Sequence, residues 1–295
     1  MLTQAEAIPA AQQPAIRLRS VRKLLGTASG LIGAGIVGLY VLIALVGAVG
    51  LTPYPPLEQN RIDRLQEPSR DYWMGTDVQG RDVASRIIKG GTNSLYVVAL
   101  SVSLATLFGT AIGVVSAYAG GFVDNAAMRI MDVFLAFPAI LLALLVVTIL
   151  GAGLNNTIIA IALVYTPIFA RVARGPVLSL KETEFVEAAH CMGMRHWRIL
   201  LRHILPNTVA PIIVQVSLAL SWALLTEAGL SFLGLGTPPP EPSWGTMLSE
   251  STGIAEIAPW LLFFPGLAIM LSVLGFNLLG DSLRDALDPR MRGIK

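Results

Sequence analysis

The sequence predicts an all-α integral membrane protein with six transmembrane helices and both termini in the cytosol. Three observations lead to this prediction. The chain of 295 residues is 54% hydrophobic and only 14% charged, which is more apolar surface than a soluble domain of this size can bury. Six apolar stretches are each about as long as a helix that crosses a bilayer. The Lys and Arg residues are concentrated on one side of the predicted spans, as expected for the cytosolic side of a membrane protein.

The first span follows a tail, residues 1–30, that is rich in Ala, Gln and Pro and then becomes basic. Such a start resembles the n-region of a signal peptide, but the apolar run of residues 31–51 is too long for a typical signal-peptide core. We therefore predict an uncleaved first transmembrane helix over residues 31–51. Its glycines, Gly33, Gly35 and Gly38, could allow close contact with another helix.

Residues 52–91 form the one long polar segment, which we predict to be external. Its prolines end the first helix, and six basic and six acidic residues follow. Within residues 74–82, glycines allow tight turns and Asp77 can cap a short helix. A metal site is disfavoured, because no His or Cys accompanies the aspartates and Arg81 neutralises them. The residues expected on the external face, where a binding protein would dock, are Gly75, Asp77, Gly80, Arg81, Asp82 and, from the last external loop, Trp244.

Five further apolar stretches complete a predicted transmembrane core over residues 92–281. Prolines within them are tolerated where neighbouring helices satisfy the backbone. The last external loop, residues 229–245, is apolar yet broken by Gly and Pro. This pattern favours a re-entrant segment or a cap at the outer mouth over an ordinary interfacial loop with Trp244 at the headgroups. The predicted spans are residues 93–118, 129–150, 157–174, 207–230 and 259–280.

Few polar groups fall within the predicted spans. Asp132 and Glu227 lie near span ends, where both can reach water, so we interpret neither as a proton relay. One face of the fifth span combines small, polar and aromatic residues, and it could line a pore or contact another helix. The candidate pore-lining residues on this face are Gln215, Ala219, Trp222 and Thr226.

The basic residues determine the predicted orientation. Fifteen of the twenty-one Lys and Arg residues lie in the segments assigned to the cytosol, and the other six lie in residues 52–91. This distribution obeys the positive-inside rule. The C-terminal tail, residues 282–295, is then cytosolic, and its start alternates in charge as a short solvated helix does.

The densest basic loop, residues 175–206, contains all three histidines of the chain and its single cysteine, Cys191. Its pattern predicts two short helices joined at Gly193, with Pro206 where the next element begins. Small alanines beside a turn suit insertion into a cleft of another protein. The alternative is a loop that lies amphipathically on the membrane. The apolar residues predicted on one side of the second helix are Trp197, Leu200, Leu201 and Ile204.

This loop resembles the EAA loop of bacterial ABC importer permeases. The matching residues are Glu187, Ala188, Ala189, Gly193, Leu205 and Pro206. The resemblance implies that they form a coupling element that docks into a groove on an ATPase subunit. One residue departs from the family pattern, since His203 stands where Ile is usual. Residues 74–82, 229–245 and 279–290 also resemble the "C" permeases of dipeptide and oligopeptide importers, so the resemblance extends over nearly all of residues 70–295.

The resemblance implies the type I ABC importer permease fold in a bacterial plasma membrane and a pore for dipeptides or oligopeptides. Glutathione and nickel chelates are alternative substrates within the same family. The implied partners are a homologous second permease subunit, two ABC ATPase subunits, an extracytoplasmic substrate-binding protein and the lipid bilayer. The partner ATPase subunits would bind ATP and Mg, and no cofactor or metal is expected in this chain, which lacks the P-loop sequence.

Two other classes of protein are weighed against this interpretation. A secondary transporter would show inverted repeats in its sequence, and we find no convincing internal repeat. An intramembrane enzyme would need paired catalytic groups within the spans, and the spans contain none, so no enzyme activity is expected. The net charge of +2 gives no argument for a nucleic-acid partner.

Overall fold

The computed structural model describes residues 27–287, and the regular secondary structure of this part is helical apart from one isolated bridge between Thr76 and Asp82, with residues 49–82 mostly in turns and irregular backbone. The predicted tails, residues 1–30 and 282–295, lie mostly outside the described residues. The helices between them are α1 (Ala28–Ala48), α2 (Val83–Ala119), α3 (Gly121–Leu135), α4 (Ala139–Leu150), α5 (Leu154–Leu180), α6 (Glu184–Cys191), α7 (His196–Phe232), α8 (Trp244–Ser251) and α9 (Trp260–Leu287).

Five of these helices, α1, α2, α5, α7 and α9, are long and apolar enough to cross a membrane. The helices α3 and α4 meet at a bend of 91°, and they complete the predicted six spans if the pair counts as one. Pro138 is the N-cap residue of α4. It has no N–H group to continue the hydrogen bonds of α3, which explains why the helix breaks there.

The second span is longer than predicted, because α2 begins at Val83 and not at residue 93. Its 37 residues correspond to roughly 55 Å of helix, well beyond the roughly 30 Å hydrocarbon core. The two ends of α2 therefore lie on opposite sides of the membrane region. We call the end at Ala119, with residues 181–206, the loop side. We call the end at Val83, with residues 49–82 and α8, the far side.

Small residues allow the long helices to pack closely. A Cβ atom on Gly109 would lie 2.4 Å from the carbonyl oxygen of Thr166, and one on Gly113 would lie 2.1 Å from that of Ala170. The backbones of α2 and α5 are thus in near contact, as at small-residue interfaces between membrane helices. On α1, Gly33 packs in the same way against α9 at Leu279, whereas Gly35 and Gly38 have no neighbour within 4 Å.

Candidate functional site

The loop-side site is built on α6, a helix of eight residues between α5 and α7. Val186 and Ala189 face inward, with relative exposures of 0% and 2%, and they belong to the main buried cluster of the molecule. Glu187 and Ala188 are exposed. The Glu-Ala-Ala triplet is therefore divided: its first two residues face outward, and its third packs within the chain. The sequence interpretation, which had both alanines facing a partner, is wrong for Ala189.

Gly193 ends α6 in a left-handed conformation, with a φ of +74°. Its N–H donates to the carbonyl oxygen of His190 at 2.9 Å, and the N–H of Met194 donates to that of Ala189 at 3.1 Å. This pair of bonds is the Schellman motif, which favours glycine at the left-handed position. A Cβ atom here would meet no atom within 4 Å, so glycine is required for its conformation and not for space. The predicted turn at Gly193 is confirmed.

The second predicted loop helix is not a separate element, because one helix runs from His196 to Phe232. The stretch Leu200–Ile204 is a π-helical turn, and the N–H of Leu205 donates to Leu200 in this wider geometry. Pro206 follows directly and has no N–H group to close an ordinary turn, and such wide turns are frequent at functional sites. Leu205 is half-buried and Pro206 is exposed. Within α7, ordinary α-helix resumes at Leu205 with Pro206 in its first turn, so the predicted start at Pro206 agrees to within one residue, although no loop separates it from the π-helical turn.

Several large apolar side chains on this segment are exposed. Trp197 and Leu201, predicted on one side of the second helix, are 55% and 52% exposed, while Ile199 and Ile204 are fully buried. Exposed apolar side chains that cluster on one short segment mark a contact surface for another molecule. We define the loop-side surface as Phe185, Glu187, Ala188, Met192, Trp197 and Leu201, all of which are exposed.

Polar contacts attach α5, which leads into the loop, to the neighbouring helices. The guanidinium of Arg174 donates from Nε and Nη2 to the carboxylate of Asp124 on α3, at 2.8 and 2.7 Å. Lys181, just after α5, donates from Nζ to the carbonyl oxygen of Ala117 on α2 at 3.4 Å. The two-point geometry of the Arg–Asp pair restricts its orientation as well as its distance.

A cluster of three side chains joins the loop to the end of α2. The hydroxyl oxygen of Tyr118 lies 3.3 Å from Nε2 of His190 and 2.9 Å from Nδ1 of His196. An open cavity of about 580 Å³ adjoins the cluster and is also lined by Lys181 and Glu182. Sequence reasoning missed this cluster, because nothing in the local pattern connects Tyr118 to the histidines. Within residues 27–287, no three His, Cys, Asp or Glu side chains gather as a metal site.

On the far side, an ion network connects the start of α2 to α8. Arg81 donates from Nε to Asp77 at 2.6 Å and from Nη2 to Glu250 on α8 at 3.0 Å. Arg86 donates from Nη2 to the same Glu250 oxygen at 2.8 Å. The side chains of Arg81 and Arg86 are only 6% and 2% exposed. The helix α8 connects the last two spans, α7 and α9. The buried ion network therefore attaches α8 to the start of α2.

Glycines and a helix cap shape the turn at residues 75–82. Gly75 and Gly80 have φ values of +76° and +74°, and a Cβ atom on Gly80 would lie 1.7 Å from the carbonyl oxygen of Asn60. Asp82 caps α2 by accepting the N–H of Ser85 at 2.8 Å. The predicted cap at Asp77 is wrong, because its carboxylate accepts backbone N–H groups of the turn itself.

Trp244 begins α8 and is completely buried. Its Nε1 donates to the carbonyl oxygen of Ile87 at 3.0 Å, and its ring meets the ring of Tyr40 edge-on at 5.5 Å. Residues 229–245 therefore fold back onto α2, but Trp244 reaches neither the headgroups nor a partner. Asp77, Arg81 and Asp82 were also predicted on the external face, but they are at most 6% exposed. These predicted docking residues build the far side from inside, and they do not form its outer surface.

The candidate pore-lining residues do not share one open face. Ala219 and Thr226 are buried, and the Thr226 hydroxyl lies 3.1 Å from that of Tyr165 on α5. For these two residues the alternative interpretation, a face that packs within the protein and does not line a pore, is therefore the better one. Gln215 is half-buried and Trp222 is 61% exposed. Only Gln215 and Trp222 therefore remain candidates for a pore.

The two acidic residues assigned to span ends differ in their surroundings. Glu227 is fully buried and accepts the Ser231 hydroxyl at 2.7 Å, so the prediction that it reaches water is wrong. Asp132 does reach water: its side chain is 59% exposed and pairs with Arg171 at 2.6 Å.

Comparisons with known proteins agree on one family. The family model described as "Binding-protein-dependent transport system inner membrane component" matches residues 109–293. The chain is 49% identical over 262 residues to the dipeptide transport system permease protein DppC of Alkalihalophilus pseudofirmus, covering 89% of this chain and 86% of that one. It is 46% identical over 259 residues to the glutathione transport system permease protein GsiD of Pectobacterium atrosepticum, covering 86% of each.

Among solved structures, two inward-facing conformations of the MetNI methionine ABC transporter share the fold. Their TM-scores are 0.54 and 0.57, at 21% and 18% sequence identity. They cover 69% and 68% of this chain and 96% and 95% of their own.

Proposed function

This chain belongs to the family of binding-protein-dependent transport system inner membrane components, and from that premise we propose that it forms half of a dipeptide pore coupled to separate ATPase subunits. Membership makes it a permease subunit of an ABC importer in a bacterial plasma membrane, a transport subunit and not an enzyme. We propose as its partners a homologous second permease, two ATPase subunits that bind ATP and Mg, and an extracytoplasmic substrate-binding protein.

The exposure of Glu187 and Ala188 on an otherwise anchored helix is the observation that best supports the coupling proposal. The small side chain of Ala188 lets a partner groove close around α6, and a bulky side chain there would clash with it. Glu187 can accept a charge-assisted hydrogen bond from the partner, worth about 1.5–3 kcal/mol. The apolar residues of the loop-side surface supply the area around these two contacts.

The connections of α6 offer a route from the docking surface to the spans. The turn at Gly193 leads directly into α7, which continues to Phe232 as one helix. On the other side of α6, the Arg174–Asp124 pair holds α5 against α3. A motor subunit can shift a two-state pore only through contacts that differ between the two states. We infer that movement of α6 reaches the pore through α7 and, with the ion pair, through α5 and α3.

We propose that the loop side faces the cytosol, where ATP is hydrolysed. Six of the twenty-one Lys and Arg residues lie between Arg171 and Arg202, which agrees with the positive-inside rule. A reporter fused after Asp71 tests the orientation, because this residue lies on the far side. The reporter should read external, and a cytosolic signal would overturn the proposal.

Dipeptides are the proposed substrate because the DppC relative, at 49% identity, is more similar than the GsiD relatives, at 46% and 45%. Proteoliposomes that contain the complete complex and its binding protein can be given a labelled dipeptide. Unlabelled dipeptide should abolish the uptake, whereas glutathione and a nickel chelate should leave it intact. Uptake of labelled glutathione in place of dipeptide would reject this substrate and retain the permease role.

Ala188→Trp tests the coupling role. The residue is exposed, so the variant should insert and assemble with its partner permease, but uptake should fall by about tenfold or more, since a clash of 1.4 kcal/mol already has this effect. Stimulation of ATP hydrolysis by the binding protein should fall with it. Ala188→Ser is the matched control and should retain both activities. Near-normal uptake and stimulation in Ala188→Trp would refute the coupling role.

Ala189→Trp is a poor substitute for this test. Ala189 is only 2% exposed, so a tryptophan there would overpack the chain's own interior. Its loss of uptake would come with loss of folded protein. Only Ala188→Trp separates docking from folding.

A further inference from the structure

We propose that His190 and His196, together with Tyr118, bind a divalent transition-metal ion of the zinc type on the loop side. The three side chains come from three elements: Tyr118 from the last turn of α2, His190 from the last turn of α6, and His196 from the first turn of α7. The fold brings them together. Neither the permease role nor the docking of α6 assigns them a function.

The donor atoms converge on one point. Nε2 of His190 and Nδ1 of His196 lie 3.3 and 2.9 Å from the hydroxyl oxygen of Tyr118. A tetrahedral zinc ion with bonds of about 2.0–2.1 Å holds neighbouring ligand atoms roughly 3.3 Å apart. The separations in the cluster are close to this value. The phenol has one proton and can donate it to only one of the two imidazoles, so the other contact requires an imidazole N–H that donates to the phenol oxygen.

The ring positions meet the same requirement. When two imidazoles bind one tetrahedral zinc ion, each ring centroid lies roughly 3.2 Å from the metal, so the two centroids are roughly 5 Å apart. The centroids of His190 and His196 are 5.2 Å apart. The two rings are therefore spaced as two imidazoles that bind one zinc ion are.

The surroundings favour an accessible site with an incomplete protein ligand set. Both histidines are exposed, and the cavity of about 580 Å³ beside them is open to water. No third His, Cys, Asp or Glu joins them among residues 27–287, so water completes the coordination together with the Tyr118 oxygen, which binds as the phenolate after its proton is released to solvent. Imidazole ligands suit Zn, Cu and Ni and do not suit Mg or Ca. Glu182 and Lys181 both line the cavity, so the carboxylate that favours a bound cation is accompanied by an ammonium that opposes it.

A bound ion would have a mechanical consequence, which rests on the proposed function. It would attach α6 and the first turn of α7 to the end of α2, across the Gly193 turn. If α6 must move relative to α2 for the pore to change state, metal binding slows uptake. An excess of zinc on the loop side would then inhibit the importer reversibly.

Zinc binding is measured first, on tag-free complete complex with Cys191→Ser as the background, because the exposed thiol of Cys191 could bind zinc by itself. A chromophoric chelator competes for the ion during a Zn²⁺ titration, and Co²⁺ reports ligand geometry by its visible spectrum. His190→Gln and His196→Gln should each lose the bound ion and the tetrahedral Co²⁺ spectrum. His203→Gln is the matched control, since the third histidine of the loop makes no contact with Tyr118, and it should retain both.

Two results would overturn the site: unchanged zinc binding in both His190→Gln and His196→Gln, or an equal loss in His203→Gln. Uptake is measured second, with each variant normalised to its own metal-free rate. Zinc should slow the parent protein, a chelator should reverse the effect, and His190→Gln/His196→Gln should not respond. Zinc binding without slower uptake would overturn the mechanical link alone. Failure of the Ala188→Trp test would instead overturn the coupling role, and the binding measurement does not depend on that result.

Discussion

Gly193 on the loop side and Gly80 on the far side have the same backbone φ of +74°. The space around them differs completely. A Cβ atom on Gly193 would meet no atom within 4 Å, whereas one on Gly80 would lie 1.7 Å from the carbonyl oxygen of Asn60. One glycine allows a turn in open surroundings, and the other allows two stretches of backbone to pack together.

Two of the ion pairs show the same difference, although the Arg174–Asp124 pair near the loop side has a carboxylate that is only 8% exposed. On the loop side, Arg171 and Asp132 pair at 2.6 Å with side chains 60% and 59% exposed. On the far side, Arg86 pairs with Glu250 at 2.8 Å with its own side chain only 2% exposed. On the far side the two buried arginines pair with Asp77 and Glu250, although Asp82 Oδ1 and Arg86 Nη1 have no hydrogen-bond partner among the described residues. Large apolar side chains are exposed on both sides, among them Trp197 on the loop side and Trp73 on the far side, and on the loop side they accompany the exposed Glu187. Similar sequence signals, glycine beside charge, thus serve internal packing in one region and exposure in the other.

Replacement of each of the two glycines by alanine, in separate variants, should give the largest difference in the free energy of unfolding between the two sides. Gly80→Ala adds left-handed strain and a clash with backbone, and we expect it to lower the free energy of unfolding by roughly 2–5 kcal/mol. Gly193→Ala adds the strain alone, roughly 1–2 kcal/mol. Thermal unfolding of the purified variants in detergent measures the difference. Equal losses of stability would show that the surroundings of the two glycines do not differ as described.

Removal of the two arginines should give a smaller difference in the same direction. Arg86→Met leaves Arg81 as the one cation that still pairs with Glu250 and Asp77 among the described residues, and we expect a loss of about 1–3 kcal/mol for a charged, largely buried hydrogen bond. Arg171→Met removes an exposed pair, for which about 0–1 kcal/mol is typical. Raised salt concentration should reduce the second loss and leave the first nearly unchanged. If Arg86→Met were as stable as Arg171→Met, the network would not fasten α8.

The number of spans could be predicted from the sequence because a long apolar run is a local signal. The start of α2 could not. Residues 83–91 include Arg86 and Lys89, and such charges suggest a loop until a partner is known. The partner of Arg86 is Glu250, which lies on a different helix far along the chain. The burial of Trp244 was not predicted for the same reason. Its contacts are with Ile87 and Tyr40, which also lie far from it in the sequence.

At the loop-side site, the turn at Gly193 was predictable because the Schellman motif depends on neighbouring residues. The opposite exposure of Ala188 and Ala189 was not, because an isolated helix of eight residues does not reveal which face its protein covers. The cluster of Tyr118 with the two histidines depends on tertiary structure alone. Motifs could therefore locate the site, but the packing of the chain decides which of its residues face a partner.

Single-cysteine substitutions should change stability least. The accessibility of each cysteine tests the comparison between the two sides residue by residue. In the Cys191→Ser background, single cysteines replace Ala188 and Ala189 on the loop side, and Ser69 and Ala84 on the far side. Ala189 and Ala84 are 2% and 5% exposed, whereas Ala188 and Ser69 are exposed. The rate of maleimide labelling in open membranes should be high for the two exposed positions and low for the two buried ones.

The assembled complex then distinguishes the two regions. Because α6 is the proposed docking element, the ATPase subunits should protect the cysteine at position 188 from maleimide, while labelling at position 69 should not respond to them. Added binding protein gives the converse comparison for the far side. Labelling at position 188 that is equally fast with and without the ATPase subunits would mean that α6 stays exposed in the complex. The loop side would then differ from the far side in packing alone, and its open surface would not be a docking surface.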